Sequence, residues 1–315
     1  MAKVCFKEND DLVDIRYDNV FKAVFTRENP VSRRALSRLI SALINREVSV
    51  KSINANEPPI DNLRDRQIRY DINCRAKTGE LVNVEMAFDP DKFEPVRLEF
   101  YAGKLFTGQD IRGTKKNYKD LKEAYQITIL AKERFFPDEF FLHSFEYFDP
   151  VHNIPLKGKS RIIAMELSKA EMVVEKPTHD MSVQEHWAVF FRYLTDTSKR
   201  RKINEIVERE EGVAMASREV IRISKDERER ARLMSEYKYQ LDMQSKIVTA
   251  RREAKEERIK AREEGRQEGR QEGRHEGREE GREEGRTKER EDIARKLKAM
   301  GMSADQIEAA TGLRL

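Results

Sequence analysis

Asp71 and Glu85 are the two residues of this chain whose types and spacing best suit chemistry. Each lies in a segment where apolar and polar residues alternate, and a period of two predicts a β-strand with one apolar face. The segments are joined by Lys77-Thr78-Gly79, which is typical of a hairpin turn. The apolar positions are Ile68, Tyr70, Ile72, Cys74, Val82, Val84, Met86 and Phe88. The two acids therefore belong to the polar face of a predicted hairpin.

The length of the turn decides which residues face each other across the hairpin. A three-residue loop with Gly79 in the left-handed conformation pairs Ala76 with Glu80. Counting outward from that pair then places Asp71 directly opposite Glu85. A two-residue loop would set an apolar residue against Glu85 and mix the two faces of the hairpin. We therefore predict the three-residue loop and a directly opposed pair of carboxylates.

Opposed carboxylates on adjacent strands repel each other, since their Cβ atoms lie about 5 Å apart. A Mg²⁺ ion removes that repulsion, because it takes oxygen ligands from one or two carboxylates and keeps several waters. Such an ion could polarise a phosphate group and deliver hydroxide. A solvated polar face, with the acids neutralised by Arg69 and Arg75, is the alternative. Spacing alone favours that alternative, because charged residues on exposed sheet faces are common.

Hydrophobic periodicity predicts the elements that position this hairpin. Residues 18–45 are predicted to form a helix that breaks near Pro30, and residues 97–110 a helix after the hairpin. Residues 184–194 form a predicted amphipathic helix that contains the only tryptophan. Further strands are predicted at residues 125–130, 140–148 and 161–167. Helices and strands thus alternate in a pattern that indicates an α/β domain.

Composition divides the chain into a core-forming part and a charged part. Hydrophobic and charged residues each make up 38% of the sequence, and nearly all aromatic residues precede Lys199. The net charge of +4 gives no overall attraction to nucleic acid. Two cysteines, Cys5 and Cys74, exclude a disulfide framework and a zinc cluster. With no apolar segment long enough for a signal peptide or a bilayer span, a cytoplasmic protein without a membrane partner is expected.

Four motifs follow one another between residues 14 and 170. The first is D-N-V-F-K-A-V-F from Asp18, and the second is R-Y-D-I followed by G-E-L-V-N-V-E-M around the acidic pair. The third is the helix pattern of Arg97, Tyr101, Lys104, Gln109 and Tyr118, and the fourth is R-I-I-A-M-E-L-S-K from Arg161. This order resembles the PD-(D/E)xK nucleases and, more closely, their Rpn family of recombination-promoting nucleases.

The resemblance implies a fold, an activity and a set of site residues. The fold is a mixed sheet flanked by helices, here followed by a long charged helical tail. The activity is Mg²⁺-dependent DNA endonuclease chemistry, with Mn²⁺ as a possible substitute and Asp71 and Glu85 as metal ligands. Asp18 matches a helix acid that some of these enzymes add to the metal shell; a helix N-cap is its alternative role. Lys22 matches a phosphate contact, or is a solvated helix residue.

The chain departs from the family pattern at Ala87. The family places Gln, and its relatives Lys, two residues after the glutamate, where the side chain helps to position water or to balance charge. The predicted register sets Arg69 opposite Ala87, so Arg69 is the expected replacement, with Gln109 and Lys104 of the flanking helix as further catalytic candidates. The alternative is a catalytically inactive nuclease fold that binds DNA or protein.

The charged part contains a tetrad of the E-E-G-R type, repeated six times over residues 263–286. Each glycine costs a helix about 1 kcal/mol relative to alanine, and the four-residue period stacks like charges. In a bundle, however, Glu stripes can face Arg stripes, so helix and flexible linker both remain open.

Four regions are predicted along the chain. They are a nuclease-like domain (1–197), a charged helical region (198–262), the tetrad repeat (263–286) and a C-terminal helical hairpin (287–315). In the hairpin, Gly301 closes one helix, Ser303 caps the next, and Ile307 and Ala310 face inward. We expect the tail to form a homo-oligomer.

Overall fold

A computed structural model describes residues 5–54, 70–88, 94–111, 117–132 and 134–313. Helix α1 (Asp18–Phe25) and helix α2 (Pro30–Ile44) replace the single interrupted helix of the sequence pattern. Proline stands at the start of α2, where its missing N–H costs nothing. The Asn29 side chain accepts a hydrogen bond from the Ser32 N–H at 2.8 Å and caps the helix. The predicted break near Pro30 is confirmed.

The hairpin adopts the predicted register. Strand β1 (Val50–Ile53) precedes β2 (Ile72–Ala76), and β2 pairs with β3 (Leu81–Ala87) so that Asn73 faces Asn83. The Gly79 N–H donates to the Ala76 carbonyl at 3.0 Å, and Gly79 has a φ of +103°. That conformation favours glycine, so the three-residue turn is confirmed.

One strand residue lies on the face opposite to the predicted one. Tyr70 was expected beside Ile72, but it packs against Leu81 and Leu105, whereas Ile72 lies in the main core. The reason is that β2 begins only at Ile72 and the chain bends at Asp71, which ends the alternation.

The later strands are β4 (Ala124–Leu130), β5 (Leu142–Phe145), β6 (Phe148–Asp149), β7 (Ile154–Pro155) and β8 (Ser160–Glu166). Six of the described strands form a mixed sheet in the order β1-β2-β3-β4-β8-β5. Strands β3, β4 and β8 are parallel, and the other pairs are antiparallel. The predicted strand at 140–148 is divided, because Leu142–Phe145 pairs with β8, whereas Phe148 begins a separate ladder with β7.

Helices cover both faces of the sheet. On one face lies the main core, where Trp187 is fully buried and stacks on Phe191. On the other face, α3 (Glu94–Thr107) packs across β3, β4 and β8. Besides α1 and α2, three helices pack into the main core: α4 (Val183–Tyr193), α5 (Arg200–Arg209) and α6 (Glu211–Lys225). The α/β prediction of a mixed sheet flanked by helices is confirmed.

The chain divides into two compact units, Met1–Tyr239 and Gln240–Leu315. Helix α7 (Glu227–Ala299) contains the whole tetrad repeat, so the structure has helix and not linker there. Apart from the backbone of the helix itself, the space around the Cβ positions of the tetrad glycines is open among the described residues. Although α7 is long, no helix in the described part of the chain is apolar enough to cross a membrane.

The C-terminal turn follows the sequence prediction with one exception. Gly301 has a φ of +87°, and Ser303 forms a capping box at the start of α8 (Ala304–Thr311). Ile307 is buried as expected, but Ala310 is exposed and Thr311 is buried instead. The inward positions are therefore four residues apart rather than three, with the Thr311 hydroxyl donating to the Ile307 carbonyl.

Candidate metal centre

The acidic pair lies at the end of the hairpin away from the turn. The last pair of the β2–β3 ladder is Ile72 with Val84. Continuing that register by one residue sets Asp71, directly before β2, opposite Glu85 in β3. The Met86 N–H donates to Asp71 Oδ2 at 3.1 Å, which ties Asp71 to the neighbouring strand. The Glu85 side chain is only 3% exposed. Two carboxylates are therefore held together, largely away from solvent.

The alternative of a solvated polar face is wrong. Asn83 and Glu85 are both buried because α3 covers this side of the sheet, and Arg75 is exposed at the other end of the hairpin. The cation that does reach Glu85 is Arg97 of α3, whose Nη2 lies 3.4 Å from Glu85 Oε2. Arg97 also lies 2.8 Å from Glu94, so its charge serves two carboxylates.

A ladder of buried polar side chains fixes the orientation of Glu85. Asn83 Nδ2 donates to Glu85 Oε1 at 3.0 Å and to Gln126 Oε1 at 2.8 Å. Gln126 Nε2 in turn donates to Thr128 Oγ1 at 3.2 Å. The sequence analysis missed Gln126 and Thr128, although two polar residues at alternate positions of an otherwise apolar strand were the available signal.

Asp18 and Lys22 bring α1 to the acidic pair. Asp18 is the first helical residue and not the N-cap, because Tyr17 occupies that position and makes no side-chain capping bond. The N-cap interpretation of Asp18 is therefore wrong. Lys22 Nζ lies 2.9 Å from Asp18 and 3.0 Å from Asp71, so one ammonium group joins the two acids. Among the described residues, the buried Asp18 Oδ1 has no hydrogen-bond partner.

The electrostatics of this site leave negative charge poorly compensated. Burial raises the pKa of Asp71, and Asp18 raises it further, while Lys22 and the Met86 N–H offset part of the effect. Burial likewise raises the pKa of Glu85, and repulsion from Asp71 adds to it against the attraction of Arg97. A divalent cation would remove the repulsion that raises both values.

The donor set fits a hard divalent cation that keeps part of its water shell. In the described ranges, no group of three or more His, Cys, Asp or Glu side chains is close enough to hold a metal ion. Asp71 and Glu85 would therefore be the protein ligands, and Asp18 adjoins them through Lys22. One or two carboxylates completed by waters and phosphate oxygens is a common Mg²⁺ arrangement in nucleotide and nucleic-acid enzymes.

The position of the missing family residue is filled by apolar packing. Ala87 is buried with Leu130 and Ala164, and Phe135 and Phe136 pack against the same cluster. The departure from the family pattern is therefore accommodated by the surrounding side chains. Arg69, the predicted replacement, lies outside the described residues.

The other two sequence candidates lie on α3 or directly after it. Gln109 donates to the Lys122 carbonyl at 2.9 Å and accepts from the Lys122 N–H at 2.8 Å. Lys122 is two residues before the start of β4, and the first residue of β4 pairs with Leu81 of β3. Glu85 is four residues further along β3 than Leu81, a distance of about 13 Å. The structure thus places Gln109 at the turn end of the sheet.

Lys104 is exposed in the last turn of α3. It follows Arg97 by seven residues, which corresponds to about 10 Å along the helix axis. Among the described candidate residues, the structure therefore brings Asp18, Asp71 and Glu85 together and places Lys104 and Gln109 away from them.

Comparison with known proteins identifies the family of the chain. The family model described as PD-(D/E)XK nuclease family transposase matches residues 15–250. That region includes α1, the hairpin and α3, which carry every described residue of the candidate metal centre. Searches of curated proteins and of solved structures found no match. Because the family model covers well over half of the chain, the protein belongs to the PD-(D/E)XK nuclease family transposases.

Proposed function

We propose that this protein is a metal-dependent DNA endonuclease that hydrolyses phosphodiester bonds and serves transposase-like DNA recombination. The observation that carries the proposal is the buried, opposed pair Asp71 and Glu85, whose repulsion is only partly relieved by Lys22 and Arg97. Burying such a pair costs stability, and strongly perturbed acids of this kind concentrate at functional sites. The family match supports nuclease chemistry.

Asp71 and Glu85 would hold Mg²⁺, or Mn²⁺ in its place. The ion, when bound, would polarise the scissile phosphate and lower the pKa of a coordinated water. The protein's own part is orientation. The Met86 N–H holds Asp71 Oδ2 and Asn83 holds Glu85 Oε1, so both carboxylates are fixed before substrate binds.

Arg97 is the described cation best placed to contact the phosphate. Its side chain is 45% exposed and lies beside the nearly inaccessible Glu85. A guanidinium in that position can hold phosphate oxygens with two parallel hydrogen bonds. Arg97 thus supplies a positive charge near the acidic pair, where the family's Gln or Lys is replaced by Ala87.

The second candidate function is a catalytically inactive nuclease fold that binds DNA or protein. Ala87 favours it, because an apolar cluster stands where the family has a polar side chain. Both candidate functions are compatible with a homo-oligomer formed through the tail. There, α7 has exposed apolar residues, including Leu241, Ile247 and Val248.

Cleavage of plasmid DNA separates the two functions. Supercoiled and linear DNA are incubated with wild-type protein in Mg²⁺, Mn²⁺ or EDTA, beside the double variant Asp71→Asn, Glu85→Gln. Glu80→Gln is the matched control, since Glu80 is a buried acid of the same hairpin at its turn end. Metal-dependent nicking that the double variant loses and the control keeps supports the nuclease. Absence of nicking from folded wild type with either metal supports the binding module.

A further inference from the structure

Lys22 occupies the place where a cation would satisfy Asp71 and Asp18 at once. Its ammonium group lies 3.0 Å from Asp71 Oδ1 and 2.9 Å from Asp18 Oδ2. Lys22 and Asp18 are one helical turn apart on α1, so the helix itself sets part of this geometry. The Lys22 side chain is 24% exposed, less than that of Asp18 and close to the 18% of Asp71.

Both oxygens of Asp71 are already engaged. Oδ2 accepts the Met86 N–H at 3.1 Å, and Oδ1 faces Lys22. The donor of the Met86 contact belongs to the β3 backbone, so its position is fixed by the strand pair. Lys22 sits on a long, flexible side chain and can be displaced. A metal ion that takes Asp71 as a ligand must therefore displace the Lys22 ammonium group from Asp71 Oδ1.

The charges around the site make Lys22 hard to replace by another described group. Four carboxylates interact there, those of Asp18, Asp71, Glu85 and Glu94. Arg97 contacts Glu85 at 3.4 Å and Glu94 at 2.8 Å, so its charge is already shared between two of these carboxylates. The apolar cluster at Ala87 contributes no charge. Among these groups, Lys22 is the cation that contacts Asp71.

We propose that Lys22 is an internal counter-cation that stabilises the metal-free protein and competes with the divalent ion for Asp71. This inference rests on the proposed metal-dependent function, because it assumes that Asp71 binds the ion. A divalent ion close to an ammonium group experiences repulsion that is only partly screened near a protein surface. Removal of the Lys22 charge should then tighten metal binding while weakening the metal-free fold.

The test is Mn²⁺ titration by calorimetry of the full chain, with the thermal midpoint measured in EDTA and in saturating Mn²⁺. The variants are Lys22→Met, Lys22→Arg and Asp71→Asn, and Lys51→Met is the control that removes one exposed positive charge from β1. We expect Lys22→Met to bind Mn²⁺ about tenfold more tightly than wild type. In EDTA, the thermal midpoint of Lys22→Met should be lower than that of wild type. Saturating Mn²⁺ should reduce this difference between the two midpoints. Lys22→Arg and Lys51→Met should bind as wild type does.

The outcomes distinguish the inference from the function on which it rests. If Asp71→Asn abolishes Mn²⁺ binding but Lys22→Met binds no more tightly than wild type, the role of Lys22 is rejected and the metal centre stands. If neither wild type nor any variant binds Mn²⁺, or if Asp71→Asn binds Mn²⁺ as well as wild type, the role of Lys22 and the metal centre are both rejected. Should Lys22→Met unfold, the Lys22→Gln variant, which keeps a polar side chain, replaces it under the same criteria.

Discussion

Tyr237 stacks on Tyr17, with ring centroids 3.8 Å apart and an interplanar angle of 19°. Tyr17 directly precedes Asp18, and both tyrosines contact Phe88, which follows Ala87 at the end of β3. The start of α7 therefore packs against the two segments that carry Asp18 and Glu85. A helix that the sequence assigned to the charged tail region contributes to the frame of the candidate metal centre.

Loss of this stack should destabilise the N-terminal unit. Tyr237→Ala removes a stacked pair and its apolar contact with Phe88, and we expect the free energy of unfolding to fall by about 1–2 kcal/mol. Tyr239→Ala is the matched control, because Tyr239 lies two residues on and is 66% exposed. Urea denaturation followed by far-UV circular dichroism checks both. Equal losses for the two variants would contradict the role given to the stack.

Glu85 should make metal-free stability depend on pH. Burial raises its pKa above the ordinary value of 4.5, so above that pH the folded protein keeps a proton that the unfolded chain releases. The folded state then binds more protons, and wild-type stability falls relative to Glu85→Gln as the pH rises. Urea unfolding in EDTA from pH 4 to pH 8 measures the difference. A constant offset between the two proteins would refute the expectation.

Glu80, in the same hairpin, is a control whose pKa is shifted in the opposite direction to that of Glu85. Burial acts to raise its pKa, but hydrogen bonding from Thr78 and the charge of Arg46 outweigh burial and lower it. Glu80 therefore stabilises the fold above its ordinary pKa and loses that contribution as the pH falls. We expect Glu80→Gln to be destabilising at neutral pH and close to wild type in acid.

Arg97 should contribute to cleavage if the protein is a nuclease. Arg97→Gln removes the guanidinium beside Glu85, and we expect the single-turnover nicking rate in Mg²⁺ to fall by about tenfold or more. Arg75→Gln removes an exposed arginine from the same hairpin and should keep the rate within about twofold of wild type. A similar loss in both variants would indicate general weakening of DNA binding rather than action at the site.

Two glycines should respond to alanine in opposite directions. At Gly79 the φ of +103° is unfavourable for alanine, and a Cβ atom would lie 3.1 Å from the Lys122 side chain. Gly79→Ala should therefore cost about 1–2 kcal/mol of stability. Gly103 lies inside α3 with open space around its Cβ position, so Gly103→Ala should stabilise the protein by up to about 1 kcal/mol. Thermal melts of the two variants check both directions, and a Gly79→Ala variant as stable as wild type would contradict the left-handed turn.

The sequence predicted the parts of the site that depend on local geometry. Gly79 fixed the turn, the turn fixed the register, and the register placed Asp71 opposite Glu85. The break near Pro30 was predictable for the same reason, because proline constrains its own backbone. These features depend on residues close together in the chain.

The remaining features depend on contacts between distant segments. Ala87 is enclosed by Phe135 and Phe136, and no local pattern links those residues. Gln109 matched a family position, yet its amide bonds to the backbone of Lys122, which only the folded chain brings near. The contact between Lys22 and Asp71 likewise joins two residues 49 positions apart in the chain. Spacing along a single sequence does not encode such encounters.

The most direct measurement is the anomalous diffraction of crystals of the full-length protein grown with Mn²⁺. The account predicts an anomalous peak between the Asp71 and Glu85 carboxylates, at about 2.0–2.3 Å from an oxygen of each, with Asp18 nearby. The peak should be absent from crystals of the Asp71→Asn, Glu85→Gln double variant. A wild-type map without density between the two carboxylates at saturating Mn²⁺, or with the ion bound elsewhere, would contradict the central claim.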